Sequence, residues 1–111
     1  MTNSGTNAII VVLITAPSVD VAQQIAATLV EERLAACCTI LPAVRSVYRW
    51  EGRVEDAEEV LVLVKTAQEF FPQLQQRVLE LHPYQLPEVI AVPVVAGLAG
   101  YVDWVLDSVR R

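Results

Sequence analysis

Three stretches of this chain, Ile9–Ile14, Val60–Val64 and Val89–Val95, are apolar at almost every position and lack the alternation of a strand with one wet side. Short β-branched runs of this kind read as strands buried on both faces. The first belongs to a strand over Ala8–Thr15 that ends at the turn Ala16-Pro17. A helical period follows from Ser18 to about Arg33. Ser18 is placed to cap it, Asp20 lies in its first turn, and Ala22, Ile25, Ala26, Leu29 and Arg33 fall on one stripe, apolar except at its far end. The segment "LAACCTILPAVRSVYRW" returns to β character, interrupted at Pro42. Glu51-Gly52 then turns the chain into "RVEDAEEVLVLVKT", giving one long hairpin with a polar, protruding tip. Thr66 and Glu69 have the spacing of a capping box. Pro72 fits only a first turn, so regular helix is expected from about Phe71, with Leu74, Val78 and Leu81 as its buried stripe. A strand over Val89–Ala96 contains Pro93, which argues for an edge or a bulge. A last helix runs from about Ala99 to Arg110.

The order β-α-β-β-α-β-α predicts an α+β fold, the split β-α-β or ferredoxin-like sandwich with an added C-terminal helix. Residues 1–7 read as a disordered polar tail and 8–111 as a single domain. Two helices cover one face of a four-stranded sheet, and the other face should then be polar. It is not, and a chain of 111 residues has no second layer to spare. The uncovered face is therefore expected to pack against further copies of the chain in a closed homo-oligomer. Composition agrees: 54% of residues are hydrophobic and the mean hydropathy is +0.44, against about 45–50% apolar in ordinary soluble domains.

Charge narrows the partners. The net charge is −5 and the eight basic residues are scattered, so nothing marks a phosphate backbone or an anionic membrane. The N-terminus has no basic region, and Ala8–Ile14 is far too short to span a bilayer. Cys37 and Cys38 are adjacent and point to opposite faces of a strand, which excludes a disulfide between them and suits a reducing cytoplasm.

Chemistry concentrates in "LHPYQLPEVI", residues 81–90, which carries the single histidine. His82 reads either as a helix-terminal residue, displaced from helical geometry by Pro83, or as a ligand for a metal or other small molecule. Imidazole and thiolate are the donors copper favours, so His82 and Cys37 are the metal candidates, with Cys38 beside them; small buried hydrophobes are the plainer reading of the two cysteines. Glu59 and Lys65 lie six residues apart on one face of a strand, about 20 Å by strand rise. Across a subunit boundary, Lys65 could face Glu88 or Tyr84. That juxtaposition reads as ordinary interface ion pairs or as a cleft for a small anionic ligand. Trp50, Tyr48, Tyr101 and Trp104 read as interface and core aromatics or as a stacking platform. Glu55, Asp56, Glu58 and Glu59 read as a solvated hairpin flank. No nucleophile–base signature and no Gly-rich phosphate loop is present.

Several fragments together, "TAP" at 15–17, "RLAACCTILP" at 33–42, "SVYRWEGRV" at 46–54, "LVLVKT" at 61–66 after Glu59, "HPYQLPE" at 82–88, and Tyr101 with Trp104, resemble the CutA family of divalent-cation tolerance proteins. The resemblance implies a ferredoxin-like homotrimer built like the P-II signalling proteins, with long hairpins joining neighbours. It also implies a link to tolerance of divalent metals, copper above all, without an established catalytic activity. Copper-binding members carry a cysteine at the end of the first strand and a second histidine before "HPY". Here those positions are Ile14 and Leu81, so a copper or other divalent-cation site would retain His82, with Cys37 at the family's cysteine position, and would hold the metal weakly. The function expected is metal response through metal or small-ligand binding or through a signalling scaffold. The alternatives are an enzyme with an intersubunit active site around Lys65, His82, Tyr84 and Glu88, and a structural trimer with only an indirect metal link.

Overall fold

In the computed structural model, which describes residues 8–110, the first apolar run forms β1 (Ile9–Ala16). The tail expected over residues 1–7 lies outside the described residues. Pro17 ends the strand, and Ser18, in extended geometry, accepts a hydrogen bond from the Val21 N–H at 3.2 Å to start α1 (Val19–Glu31). The helix stops before Arg33, contrary to its period. Arg33 takes a left-handed φ of 61°, and the N–H groups of Leu34 and Ala35 both fold back onto the Leu29 carbonyl at 2.9 and 3.1 Å. The last stripe position therefore belongs to the helix stop.

β2 (Cys37–Trp50) and β3 (Arg53–Ala67) form the long hairpin, closed by Glu51 and Gly52 at φ 50° and 81°. Both turn residues are left-handed, the type I′ geometry that matches strand twist. The interruption at Pro42 is a bulge: the register steps from Leu41–Leu61 to Val44–Glu59, and Ala43 adopts a φ of 62°. One extra residue on β2 bends the ribbon and redirects everything beyond it.

Thr66 does not cap a helix. It is still in β3, fully buried, with its hydroxyl donated to the Leu34 carbonyl at 2.7 Å, while Glu69 pairs with Arg110. The buried polar group found a strand-side partner, and a 3₁₀ turn, Gln68–Phe70, leads into α2 (Phe71–Leu81) with Pro72 in its first turn. β4 (Val89–Pro93) ends at its proline, three residues short of the strand expected over Val89–Ala96; Val94 still donates to the Ile9 carbonyl before the chain leads on to α3 (Ala99–Val109).

The sheet order is β2-β3-β1-β4 with every neighbouring pair antiparallel, the split β-α-β arrangement. β4 is an edge strand, where a proline costs no ladder bond. Ile10, Val12 and Ile14 of β1 and Val60, Val62 and Val64 of β3 face α1 and α2, and pack against Ile25, Leu29, Leu74 and Val78. The opposite face is not bare throughout, as expected from the pattern. α3 lies over one end of it, burying Ile9 and Ala67 with Val105, Leu106 and Val109. Its middle remains uncovered: Val11, Leu13, Leu61 and Leu63 are half-buried, and Ile90 and Val92 are exposed. Among the described residues no helix is long and apolar enough to cross a membrane.

Candidate functional site

Beyond the bulge the hairpin leaves the sheet, and the segment that follows α2 closes against its base. Between them lies a cleft of about 730 Å³, whose lining includes Thr15, Arg45, Tyr48, Trp50, Glu59, Tyr84 and Glu88. Glu59 forms its inner end. Pairing with Val44 just past the bulge sets its carboxylate on the sheet, where it is only 6% exposed. Its Oε2 accepts the Tyr84 hydroxyl at 2.8 Å, a charge-assisted bond worth about 1.5–3 kcal/mol when well shielded. Partial burial, then the Glu59 carboxylate, pushes the Tyr84 phenol up to about 12, so it remains a donor throughout the physiological range.

Tyr84 is positioned by His82. The pre-proline histidine leaves α2 with extended geometry, φ −83° and ψ 134°, and its own N–H still donates to the Val78 carbonyl. Its ring is buried. The Tyr84 N–H donates to Nδ1 at 3.1 Å, so the network places the ring proton on Nε2, which donates to the Thr15 carbonyl at 2.7 Å. His82 thus ties β1 to the loop that carries Tyr84. The helix-terminal reading describes it, and both nitrogens are engaged.

The two metal candidates are not brought together within the chain. His82 binds beside Thr15, which pairs with Leu61, whereas Cys37 pairs with Lys65. Four residues of β3 separate these positions, about 13 Å by strand rise. Among the described residues no group of three or more His, Cys, Asp or Glu side chains converges as a metal site. Cys37 lies 3.3 Å from the Tyr101 hydroxyl, a contact that raises the Tyr101 phenol above its usual value. Cys38, on the other face, packs against α1, and desolvation pushes its thiol up to about 12.

Lys65 is likewise outside the cleft. Its Nζ donates to Thr39 Oγ1 at 2.7 Å and to the Leu63 carbonyl at 3.3 Å, at the end of β3 remote from Glu59. Of the five cleft candidates, Glu59, Tyr84, Glu88 and Trp50 share one lining, and Lys65 does not. Of the supposed solvated flank, Asp56 pairs with Arg45 at 3.0 Å in solvent, but Glu59, the first β3 residue past the bulge, is buried beneath the Tyr84 hydroxyl. Tyr101 stacks near Trp104 at 5.6 Å on the outside of α3, so neither is a core residue of this chain.

Residues 10–108 match the family of CutA1 divalent ion tolerance proteins. The chain belongs to the CutA1 family. It is 52% identical over 98 residues to the divalent-cation tolerance protein CutA of Thermus thermophilus, covering 88% of this chain and 95% of the relative. The solved structure of a Thermus thermophilus divalent cation tolerance protein superposes with a TM-score of 0.90 at 50% identity, over 92% of this chain and 99% of that one. The structure of the periplasmic divalent cation tolerance protein CutA from Archaeoglobus fulgidus gives 0.89 at 38% identity, over 92% of this chain and 99% of that one.

As a CutA1 member, this chain carries its cleft on positions that sequence reasoning reached only in part. Arg45, Ser46, Gln85 and Leu86 also line it. The available signal was Pro42 inside a β-branched run, which marks the bulge that turns Arg45 to Trp50 over the loop.

Proposed function

We propose that this CutA1-family chain acts in the divalent-cation response as a homotrimeric binding and signalling scaffold, of the P-II kind, in the cytoplasm. The observation that carries this reading is the uncovered centre of the sheet. Val11, Leu13, Leu61, Leu63, Ile90 and Val92 form one apolar field that neither α1 and α2 nor α3 reaches. Each such side chain contributes about 1.5–3 kcal/mol when fully removed from water, and packing against like copies is the closed-symmetry way to do so. The two adjacent cysteines, both free thiols, support the reducing compartment.

In this reading metal response runs through assembly and ligand occupancy, not through a copper centre of His82 and Cys37, whose positions in the fold are separate. A second reading, an enzyme in the cleft, draws on the Glu59–Tyr84 pair. A phenol held at about 12 is poorly matched to proton transfer near neutral pH, which favours binding over catalysis. Light scattering on the purified protein is expected to give three times the chain mass of 12.2 kDa, and a monomer mass would overturn the proposal. Calorimetric titration of the reduced protein with Cu(I) is expected to show nothing tighter than about 1 µM.

A further inference from the structure

We propose that Lys65 of one copy seats in the Glu59 cleft of the next, so that two charges left unpaired within the chain pair around the trimer. This pairing rests on the homotrimer proposed above and adds the residues that set how one copy meets another. Strand alternation puts Glu59, Leu61, Leu63 and Lys65 on the uncovered face of β3, opposite Val60, Val62 and Val64 under α1 and α2. Register carries that face across to Thr39 and Leu41 of β2, Val11 and Leu13 of β1, and Ile90 and Val92 of β4. Among these described positions Glu59 is the one anion and Lys65 the one cation. They stand at opposite ends of the apolar field, about 20 Å apart by strand rise.

Neither charge is answered by its own chain. Glu59 is 6% exposed, and its one hydrogen-bond donor among the described residues is the neutral Tyr84 hydroxyl on Oε2. Lys65 is half-buried and donates only to neutral acceptors, Thr39 Oγ1 and the Leu63 carbonyl. Seating a second copy on this face withdraws both groups from water, and a charge out of water needs an opposite, hydrogen-bonded charge. The chain cannot bring the two together, but a neighbour can. A ring closed by heterologous contacts joins one end of a surface to the other end of the next copy, the order these charges require. Of the three ammonium donors, two are used within the chain, which leaves one for Glu59 Oε1. Glu88, at the same end, is exposed and can stay hydrated. The hairpin points to the same occupant. Beyond Glu59 it is a two-stranded ribbon with Val47 and Val54 exposed, a unit marginal at best in water by itself, and a neighbour that reaches Glu59 lies against it.

The test is charge exchange, read by light scattering at micromolar concentration, with circular dichroism to follow the fold. Lys65→Glu, a change at a half-exposed side chain, is expected to keep the fold and to weaken assembly about tenfold or more, lowering the mass below three times 12.2 kDa. Glu59→Lys should do the same, and Lys65→Glu with Glu59→Lys in one chain should restore the mass. At their separation within the chain, that rescue acts only between copies. Should Glu59→Lys fail to fold, Lys65→Met and Glu59→Gln give the same reading: each is expected to weaken assembly, and the two together no more than either. A monomeric unaltered protein would overturn the trimer and the pairing with it. A trimer untouched by Lys65→Glu, or exchanged and neutralised double variants that assemble no better than additive losses allow, would overturn the pairing alone. So would rescue of Lys65→Glu by Glu88→Lys in place of Glu59→Lys.

Discussion

Val62 and Leu63 are neighbours on β3 and equally apolar, yet one is fully buried under α1 and α2 while the other stays half in solvent on the opposite face. The same split runs along β1, where Val12 and Ile14 are sealed and Val11 and Leu13 are not. Apolar residues on the first face stabilise the chain itself. On the second, their burial requires something outside the chain, except where α3 covers Ile9 and Ala67. The second face also carries the polar break at Glu59 and Thr15, where the sheet surface becomes the wall of the cleft.

Placing a carboxylate on each face separates these roles most sharply. Val62→Asp is expected to cost more than about 4 kcal/mol, because the side chain has no room, no water and no donor. That is a large share of the roughly 5–15 kcal/mol that holds a domain together, so circular dichroism should show loss of the cooperative melt. Leu63→Asp should cost the isolated chain about 1 kcal/mol or less and instead reduce the mass seen by light scattering. If both variants unfold alike, or if Leu63→Asp keeps the assembled mass, the two faces are not energetically distinct.

A smaller effect is expected at the cleft. Tyr84→Phe removes the donor to Glu59 and leaves a buried carboxylate without its hydrogen bond, a loss of about 1–3 kcal/mol, toward the lower end because Tyr84 is 38% exposed. The alkaline profile gives an independent readout. The folded phenol titrates near 12 against an ordinary 10. A raised value means its stabilisation is intact below pH 10 and is lost as pH rises from 10 toward 12. Tyr84→Phe should melt lower at pH 7 and lack that part of the alkaline decline. An unchanged melting temperature at pH 7 would show that Glu59 takes its stabilisation elsewhere.

What the sequence could convey follows the same division. The strands, the Ser18 cap, the Pro72 start of α2 and the apolar excess of the second face were legible because each rests on local chemistry or period. The Thr66 capping box failed because a buried hydroxyl can be satisfied by any nearby carbonyl, and Leu34 is 32 residues away in sequence. Arg33 failed because stripe spacing cannot reveal a left-handed stop made without glycine. Glu59, Tyr84, Glu88 and Trp50 share one lining within the chain, while Lys65, expected to meet such a cleft only across a subunit boundary, lies at the other end of β3. Six residues of β3 fix how far it lies from Glu59, and only the loop after α2 decides at which end the cleft forms.

The smallest effect is expected at the two cysteines, which place one residue type on each face. Cys38 packs toward α1, and its thiol is pushed up to about 12 by desolvation, then by Cys37, with Lys65 opposing. At pH 8 almost none of it is thiolate, the reactive form. A thiol reagent applied to the native protein at that pH should leave Cys38 unmodified, and any label found by peptide mass spectrometry should sit on Cys37. Because the folded value lies above the ordinary 9, the contribution of Cys38 to stability is complete below pH 9 and declines from there toward 12. Cys38→Ala should therefore flatten the melting profile between pH 9 and 12, whatever its offset from the cavity it leaves. Labelling of native Cys38 as fast as in the denatured chain would show that the face under α1 opens readily, and the contrast between the two faces would then be one of degree.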